Sequence, residues 1–156
     1  MKHVVLDFKT SKHEWFEEFE STYAEKINHF CEFEVIHLKT ISVDRDQSEE
    51  KIQFESKVLL KKLTSDDFII LCDERGKKFD SLQFADQHLK AQQSGKKRII
   101  FIIGGAFGVS AEIRAQAQMT ISLSTMVMNH LVAESVLLEQ IYRSFTIQKR
   151  IPYHNI

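Results

Sequence analysis

Apolar residues in this chain follow two rhythms that alternate along its length. Short β-branched and aromatic runs read as strands, and apolar positions three and four apart read as helices. Val4 to Phe8 predicts a first strand. Ser11 followed three residues later by Glu14 is a capping-box signature, and Trp15, Phe16, Phe19, Tyr23, Ile27 and Phe30 continue at mostly helical spacing. Phe33, Val35, Ile36 and Leu38 predict a second strand, and Asp44 to Asp46 a polar loop. The next helix turns Ile52, Phe54, Val58, Leu59 and Leu63 inward. Phe68 to Cys72 is unbroken apolar sequence, as a strand buried on both faces requires. A third helix starts near Asp80 or Ser81 and carries Leu82, Ala85 and Leu89. Arg98 to Ile103 is the clearest strand, followed by a short helix over Val109 to Gln118 and a short strand over Met119 to Leu123. A long last helix runs from about Leu131 to Ile147. This order predicts an α/β fold: a mostly parallel sheet with helices on both faces. With no repeat and no linker, residues 1–156 read as a single domain.

Composition narrows the function. Lys plus Arg number 21 and Asp plus Glu 22, a formal net charge of −1, which argues against a bulk polyanion binder and leaves a local basic patch open. No stretch approaches the ~20 apolar residues of a membrane span, and the N-terminal apolar run is too short for a signal peptide. Cys31 and Cys72 are far apart and form no CxxC, so the chain reads as reduced and cytoplasmic. The seven His form neither HExxH nor a Cys/His zinc spacing, so no metal is expected. Charge is thin in the last third: residues 99–156 carry only Glu112, Arg114, Glu134, Glu139, Arg143, Lys149 and Arg150. A last helix this apolar is either central to the core or part of a subunit interface, and a two-fold homodimer built on it is the expectation.

Ligands of open α/β sheets sit beyond the carboxyl ends of the strands. Two segments fall there. One is Cys72-Asp73-Glu74-Arg75-Gly76-Lys77-Lys78, read as a loop after the third strand. The other is Gly104-Gly105-Ala106-Phe107-Gly108 after the fourth, which holds three of the chain's five glycines. Glycine lets backbone approach a ligand closely, and it equally serves a tight strand-to-helix turn. The spacing is neither GxGxxG nor a P-loop. Cys72 reads as a small buried hydrophobe rather than a nucleophile. Arg75, Lys77 and Lys78 share the glycine loop's edge and suit phosphates, whereas Lys96, Lys97 and Arg98 fall at the opposite edge. His130 reads as a helix-end residue, and His3, His13, His29, His37 and His88 as structural or exposed. The closing Lys149-Arg150-Ile151-Pro152-Tyr153-His154 follows the last helix directly and is placed to fold back onto a site.

These residues together resemble the ribosomal RNA large-subunit methyltransferase H family, within the SPOUT superfamily of knotted methyltransferases. The resemblance rests on Asp73-x-x-Gly76-Lys77, Ile103-Gly104-Gly105-Ala106-Phe107-Gly108-Val109-Ser110, Leu123-Ser124, His130, Glu139-Gln140-Ile141-Tyr142-Arg143, Ile147 and the terminal Tyr153-His154. It spans the whole chain and is strongest from residue 99 onward. It implies a homodimer with a deep C-terminal trefoil knot, a topology that composition would never suggest. It further implies S-adenosylmethionine as cofactor and, as activity, methylation of N3 of a pseudouridine in large-subunit ribosomal RNA on the assembled ribosome. Carried over by position, the cofactor residues are Cys72, Gly104, Leu123, Ser124, Thr125, Met126, Val127 and Met128. Arg143, Tyr153 and His154 fall on the substrate side, with His154 as base and Arg143 stabilising negative charge. Two positions depart from the family pattern: Asn129 stands where Pro is usual before His130, and Glu134 where Arg is usual four residues after it. Competing readings are a SPOUT methyltransferase for another RNA and a non-catalytic α/β nucleotide-binding module.

Overall fold

The computed structural model describes residues 1–8 and 13–154. Ser11 of the expected capping box lies outside the described residues. The elements in chain order are β1 (Lys2–Asp7), α1 (Glu14–Asn28), β2 (Phe33–His37), a 3-10 turn (Arg45–Gln47), α2 (Ser48–Leu60), β3 (Asp67–Lys78), α3 (Ser81–Gln92), β4 (Arg98–Ile103), α4 (Ala111–Gln116), β5 (Met119–Ser122) and α5 (His130–Gln148). The strands form one sheet in the order β2-β1-β4-β3-β5, all parallel.

The period-two alternation of the strands splits the core into two layers. Val5, Ile70, Ile99, Phe101 and Ile103 face α1, α3 and α5 through Ile27, Phe84, Leu137, Leu138, Ile141 and Phe145. Val4, Leu6, Ile69, Leu71, Ile100 and Ile102 face α2 and α4 through Leu59 and Ile113. The sheet therefore carries helices on both faces, and β4 at its centre is buried along almost its whole length. The apolar α5 is central to this core: Leu137, Leu138 and Ile141 are fully buried at helical spacing. At roughly 1.5–3 kcal/mol per buried aliphatic side chain, that stripe is a main anchor of the fold. Val132, on the outer side of α5, stays exposed. No described helix is long and apolar enough to cross a membrane.

Three local devices fix the helix ends nearest the strand ends and the tail. Asp80 caps α3 by accepting from the Gln83 backbone N–H at 2.7 Å, with the Gln83 side chain reaching back to the Asp80 N–H at 3.1 Å. Asn129 caps α5 by accepting from the Leu131 N–H at 2.9 Å, so the departure from Pro there keeps the helix start ordered. At the other end of α5, Ile151 N–H bonds Thr146 C=O and Arg150 N–H bonds Ile147 C=O, a Schellman turn with Arg150 in the left-handed region at φ 56°. That turn reverses the chain and sends the tail back along α5.

One expectation is corrected. Residues 73–78 are not a loop: β3 continues to Lys78 across an irregularity, and Ile121 pairs with both Cys72 and Lys77. The continuation depends on Gly76, where a Cβ would lie 2.4 Å from the Ile121 carbonyl carbon. Such close strand approach is visible only in three dimensions.

Candidate functional site

Beyond the carboxyl ends of β3 and β4 lies a cavity of about 390 Å³, a size typical of small-molecule sites. Its walls are the end of β3 (Cys72 to Arg75), the turn from Ile103 to Gly108, the segment after β5, and the start of α5 with His130 and Ala133. The glycine turn is tight: Gly108 N–H bonds Gly105 C=O at 2.9 Å, and Gly108 has φ 80°. Gly105 is required by its underside, because a Cβ there would meet the Glu55 carboxylate at 2.0 Å. Glu55 is itself buried, accepts a hydrogen bond from Thr40 and lies 3.9 Å from Lys51. The opposite wall is shaped by hydroxyls: Ser122 Oγ donates to Ser124 C=O at 2.8 Å, and Met126 N–H donates to Ser124 Oγ at 2.9 Å.

Seven of the eight cofactor residues expected from the sequence line this cavity: Cys72, Gly104, Leu123, Ser124, Met126, Val127 and Met128. Thr125 is exposed and does not. Burial pushes the Cys72 thiol up to about 12, so it serves as a neutral wall and not as a nucleophile. Burial also raises Asp73, but hydrogen bonds from Arg75 and Arg114 outweigh it and hold this carboxylate down at about 2. Arg114 Nη1 donates to Asp73 Oδ2 at 2.8 Å and Arg75 Nε to Oδ1 at 3.1 Å, which places the exposed Arg75 side chain at the cavity rim.

The three candidate catalytic residues form a second cluster at the far end of α5. Arg143 binds Glu139 through Nη2 at 2.5 Å and Nε at 3.0 Å, and its Nη1 donates to His154 Nδ1 at 3.1 Å. A guanidinium only donates, so the ring proton of His154 sits on Nε2. Tyr153 donates to Glu139 Oε1 at 3.1 Å, lies 3.3 Å from the Tyr23 hydroxyl and stacks edge-on to Tyr142. Burial, then Tyr23 and Glu139, push the Tyr153 phenol far up, so it remains a hydrogen-bond donor. At 1.5 Å per residue, His130 at the cavity and Arg143 in this cluster are about 20 Å apart along α5.

A third constellation escapes local sequence spacing. His130 lines the cavity and contacts Asp7 Oδ1 through Nδ1 at 3.3 Å. The Asp7 bond raises its proton affinity against the opposing effect of burial. Glu134, one turn later, is fully buried, as is Asp7. Burial, and then Asp7 and Glu20, push the Glu134 carboxyl up to about 10. Asp7 and Glu134 are separated by most of the chain, so only a shift from the family's usual Arg hinted at them. Elsewhere, His3 and His88 share a buried bond of 2.8 Å that continues to Ser144 Oγ, a structural network as expected.

A family profile described as predicted SPOUT methyltransferase matches residues 1–154. The chain is 47% identical to the ribosomal RNA large subunit methyltransferase H of Bdellovibrio bacteriovorus over the whole of both chains. It is 33% identical to the protein of that name in Streptococcus pneumoniae over 99% of each chain. A solved methylase-family protein of Haemophilus influenzae matches with TM-score 0.54 and 13% identity, covering 96% of this chain and 66% of that one, which bears on the fold alone. With a parallel sheet, a glycine-walled cavity beyond its central strands and full-length relatives of one kind, this chain belongs to the SPOUT methyltransferase family.

Proposed function

We propose that this protein transfers a methyl group from S-adenosylmethionine to N3 of a pseudouridine in large-subunit (23S) ribosomal RNA, as a cytoplasmic homodimer acting on the assembled ribosome. The observation that carries the reading is the cavity, lined by Gly104 and by the run on either side of Thr125 that the family uses for its cofactor. The residues present suit that cofactor. Apolar Ile103, Leu123 and Met128 match a flat adenine, backbone of the glycine turn supplies donors and acceptors, and Glu74 adds a negative charge beside an Asp73 already paired with Arg75 and Arg114. The bound cofactor supplies an electrophilic methyl on a sulfonium.

Methyl transfer is an in-line displacement, so holding the acceptor nitrogen in line dominates the rate. The N3–H of the base must also lose its proton. His154 is the candidate base, and to accept at Nδ1 it exchanges its Arg143 hydrogen bond for the substrate. Arg143, released on that side and still held by Glu139, then faces the developing negative charge. Tyr153 orients Glu139. Lys149 and Arg150, beside this cluster, and Lys77 and Lys78, near the cavity, suit RNA phosphates.

The homodimer is what the family resemblance implies, and the separation of about 20 Å between His130 and Arg143 along α5 is compatible with it. A second copy would supply Arg143, Tyr153 and His154 in trans. Met126 and Val127, exposed at 75% and 88% at the cavity, and Val132, exposed at 45% on the outer side of α5, give such a copy an apolar surface. The knot implied by the family is supported by the chain path. From β5 at the sheet edge, residues 123–129 recross the ends of β3 and β4 to bring His130 to Asp7.

A mixing experiment tests both the activity and the shared site. Ala106→Trp blocks the cavity mouth, and His154→Ala removes the base. Each alone should fail to methylate ribosomes, and a refolded mixture should regain up to about half of one site's activity. Transfer by either variant alone at the parent rate contradicts the reading.

A further inference from the structure

The buried acidic cluster beneath the start of α5 is assembled from three elements. Asp7 ends β1 and His37 ends β2, and the two are register partners on adjacent parallel strands. Glu134 enters from the first turns of α5. One ligand-type atom from each of the three lies within 4.8 Å of the others. A tetrahedral zinc ion about 2.1 Å from each ligand needs those atoms about 3.4 Å apart, so the ligands close in by up to about 1.4 Å per pair when the ion binds.

The burial makes the cluster more than a set of nearby acids. Asp7 and Glu134 are both 0% exposed. Asp7 Oδ1 accepts from the Phe8 N–H at 2.7 Å and faces His130, while Asp7 Oδ2 and both Glu134 oxygens meet no N–H or hydroxyl donor among the described residues, and Glu134 faces the carboxyls of Asp7 and Glu20. A buried oxygen without a donor is costly, and more so when charged. His130 faces Asp7, and a metal ion binding here displaces the proton that burial, Asp7 and Glu20 hold on Glu134. His37 contacts Glu20 through Nε2 at 2.7 Å, an imidazole–carboxylate pairing of the kind that orients metal-bound histidines. The His37 side chain is 28% exposed, which leaves an entry path from solvent.

We propose that Asp7, His37 and Glu134 bind one divalent first-row transition ion, with zinc as the best match. Two carboxylates and an imidazole favour zinc or manganese over magnesium and calcium, which prefer all-oxygen sites. Three protein ligands leave the fourth position to water. The ion ties the ends of β1 and β2 to the first turn of α5, one turn from the cavity-lining His130. Its role is structural support of the cavity, and the Glu that replaces the family's usual Arg is one of its ligands.

The test is metal binding by the full-length chain, independent of methyl transfer. Protein stripped with chelator is dialysed against zinc chloride, manganese chloride or magnesium chloride, and bound metal is measured by plasma mass spectrometry alongside thermal unfolding. The expected result is one zinc per chain, a raised Tm, and little magnesium. Glu134→Gln and His37→Ala should each weaken zinc binding at least tenfold and abolish the Tm rise. His37 is on the surface, so His37→Ala remains informative if Glu134→Gln fails to fold. Sub-stoichiometric zinc, zinc binding unchanged in His37→Ala, or magnesium bound as tightly as zinc would each overturn the proposal. In the first case a shared proton, not a metal, joins Asp7 and Glu134.

Discussion

Gly76→Ala isolates the contact that lets β3 pass its own bulge. An added Cβ would stand 2.4 Å from the Ile121 carbonyl carbon and 2.7 Å from its N and O. All three are backbone atoms, so no side-chain rotation relieves them. Relief needs a shift of about 1 Å to reach ordinary contact distance, and the shift falls on β5, the edge strand. It disturbs the pairing of Ile121 with Cys72 and Lys77. Two weakened backbone hydrogen bonds at about 0.5–1.5 kcal/mol each, added to about 1–3 kcal/mol of overpacking strain, give a loss of about 2–6 kcal/mol. Gly95→Ala is the control. It has φ 79° and nothing within 4 Å, so only the left-handed backbone penalty of about 1–2 kcal/mol applies. Urea unfolding measures both, provided the m-values stay equal. Because β5 leads directly into Leu123 to Met128, Gly76→Ala should also weaken S-adenosylmethionine binding at least tenfold by calorimetry, and Gly95→Ala should not. Equal stability losses in the two variants, with cofactor affinity unchanged in Gly76→Ala, would refute the reasoning.

Three further outcomes are expected. Arg150→Gly should stabilise the protein by about 1 kcal/mol in the same unfolding assay, because Arg150 occupies a left-handed position that glycine adopts freely. Burial lowers His3 from 6.5 to about 4 and lowers His88 also. The unfolded chain therefore takes up protons first. Stability present above pH 6.5 should fall as pH drops toward 4, by at most about 1.4 kcal/mol per unit for each histidine; a flat urea midpoint across that window would contradict the network. Arg143→Gln should leave cofactor affinity within about twofold, since Arg143 is proposed to face the acceptor base and not the cofactor, and lower methyl transfer by about a hundredfold or more.

Sequence patterning exposed the parts of this fold that local chemistry controls. The Arg98–Ile103 run is the buried central strand, the glycine-rich turn follows it, and α3 starts at Ser81 with Asp80 as its cap, where a start near Asp80 or Ser81 is expected. The tail of Tyr153 and His154 does fold back, because the Schellman turn at Arg150 directs it to Arg143. The apolar α5 left two readings open, and tertiary packing decides in favour of the core for Leu137, Leu138 and Ile141. Residues 73–78 look like a charged loop because a bulged strand at a ligand site loses its alternation. The Asp7–His37–Glu134 convergence had no local signal, since β1, β2 and α5 meet only through the sheet order and the return of residues 123–129. Thr125 was carried over with its neighbours, yet the turn held by Ser124 leaves it exposed.

On the proposed activity, the near-neutral net charge predicts few phosphate contacts and weak binding to naked RNA. The most direct test of the central claim is transfer of labelled methyl from S-adenosylmethionine to intact ribosomes, separated subunits and naked RNA, with the modified position mapped. The account expects label on N3 of one large-subunit pseudouridine in intact ribosomes, far less on naked RNA, and none with His154→Ala. No transfer to any of the three substrates by protein that binds the cofactor would contradict it.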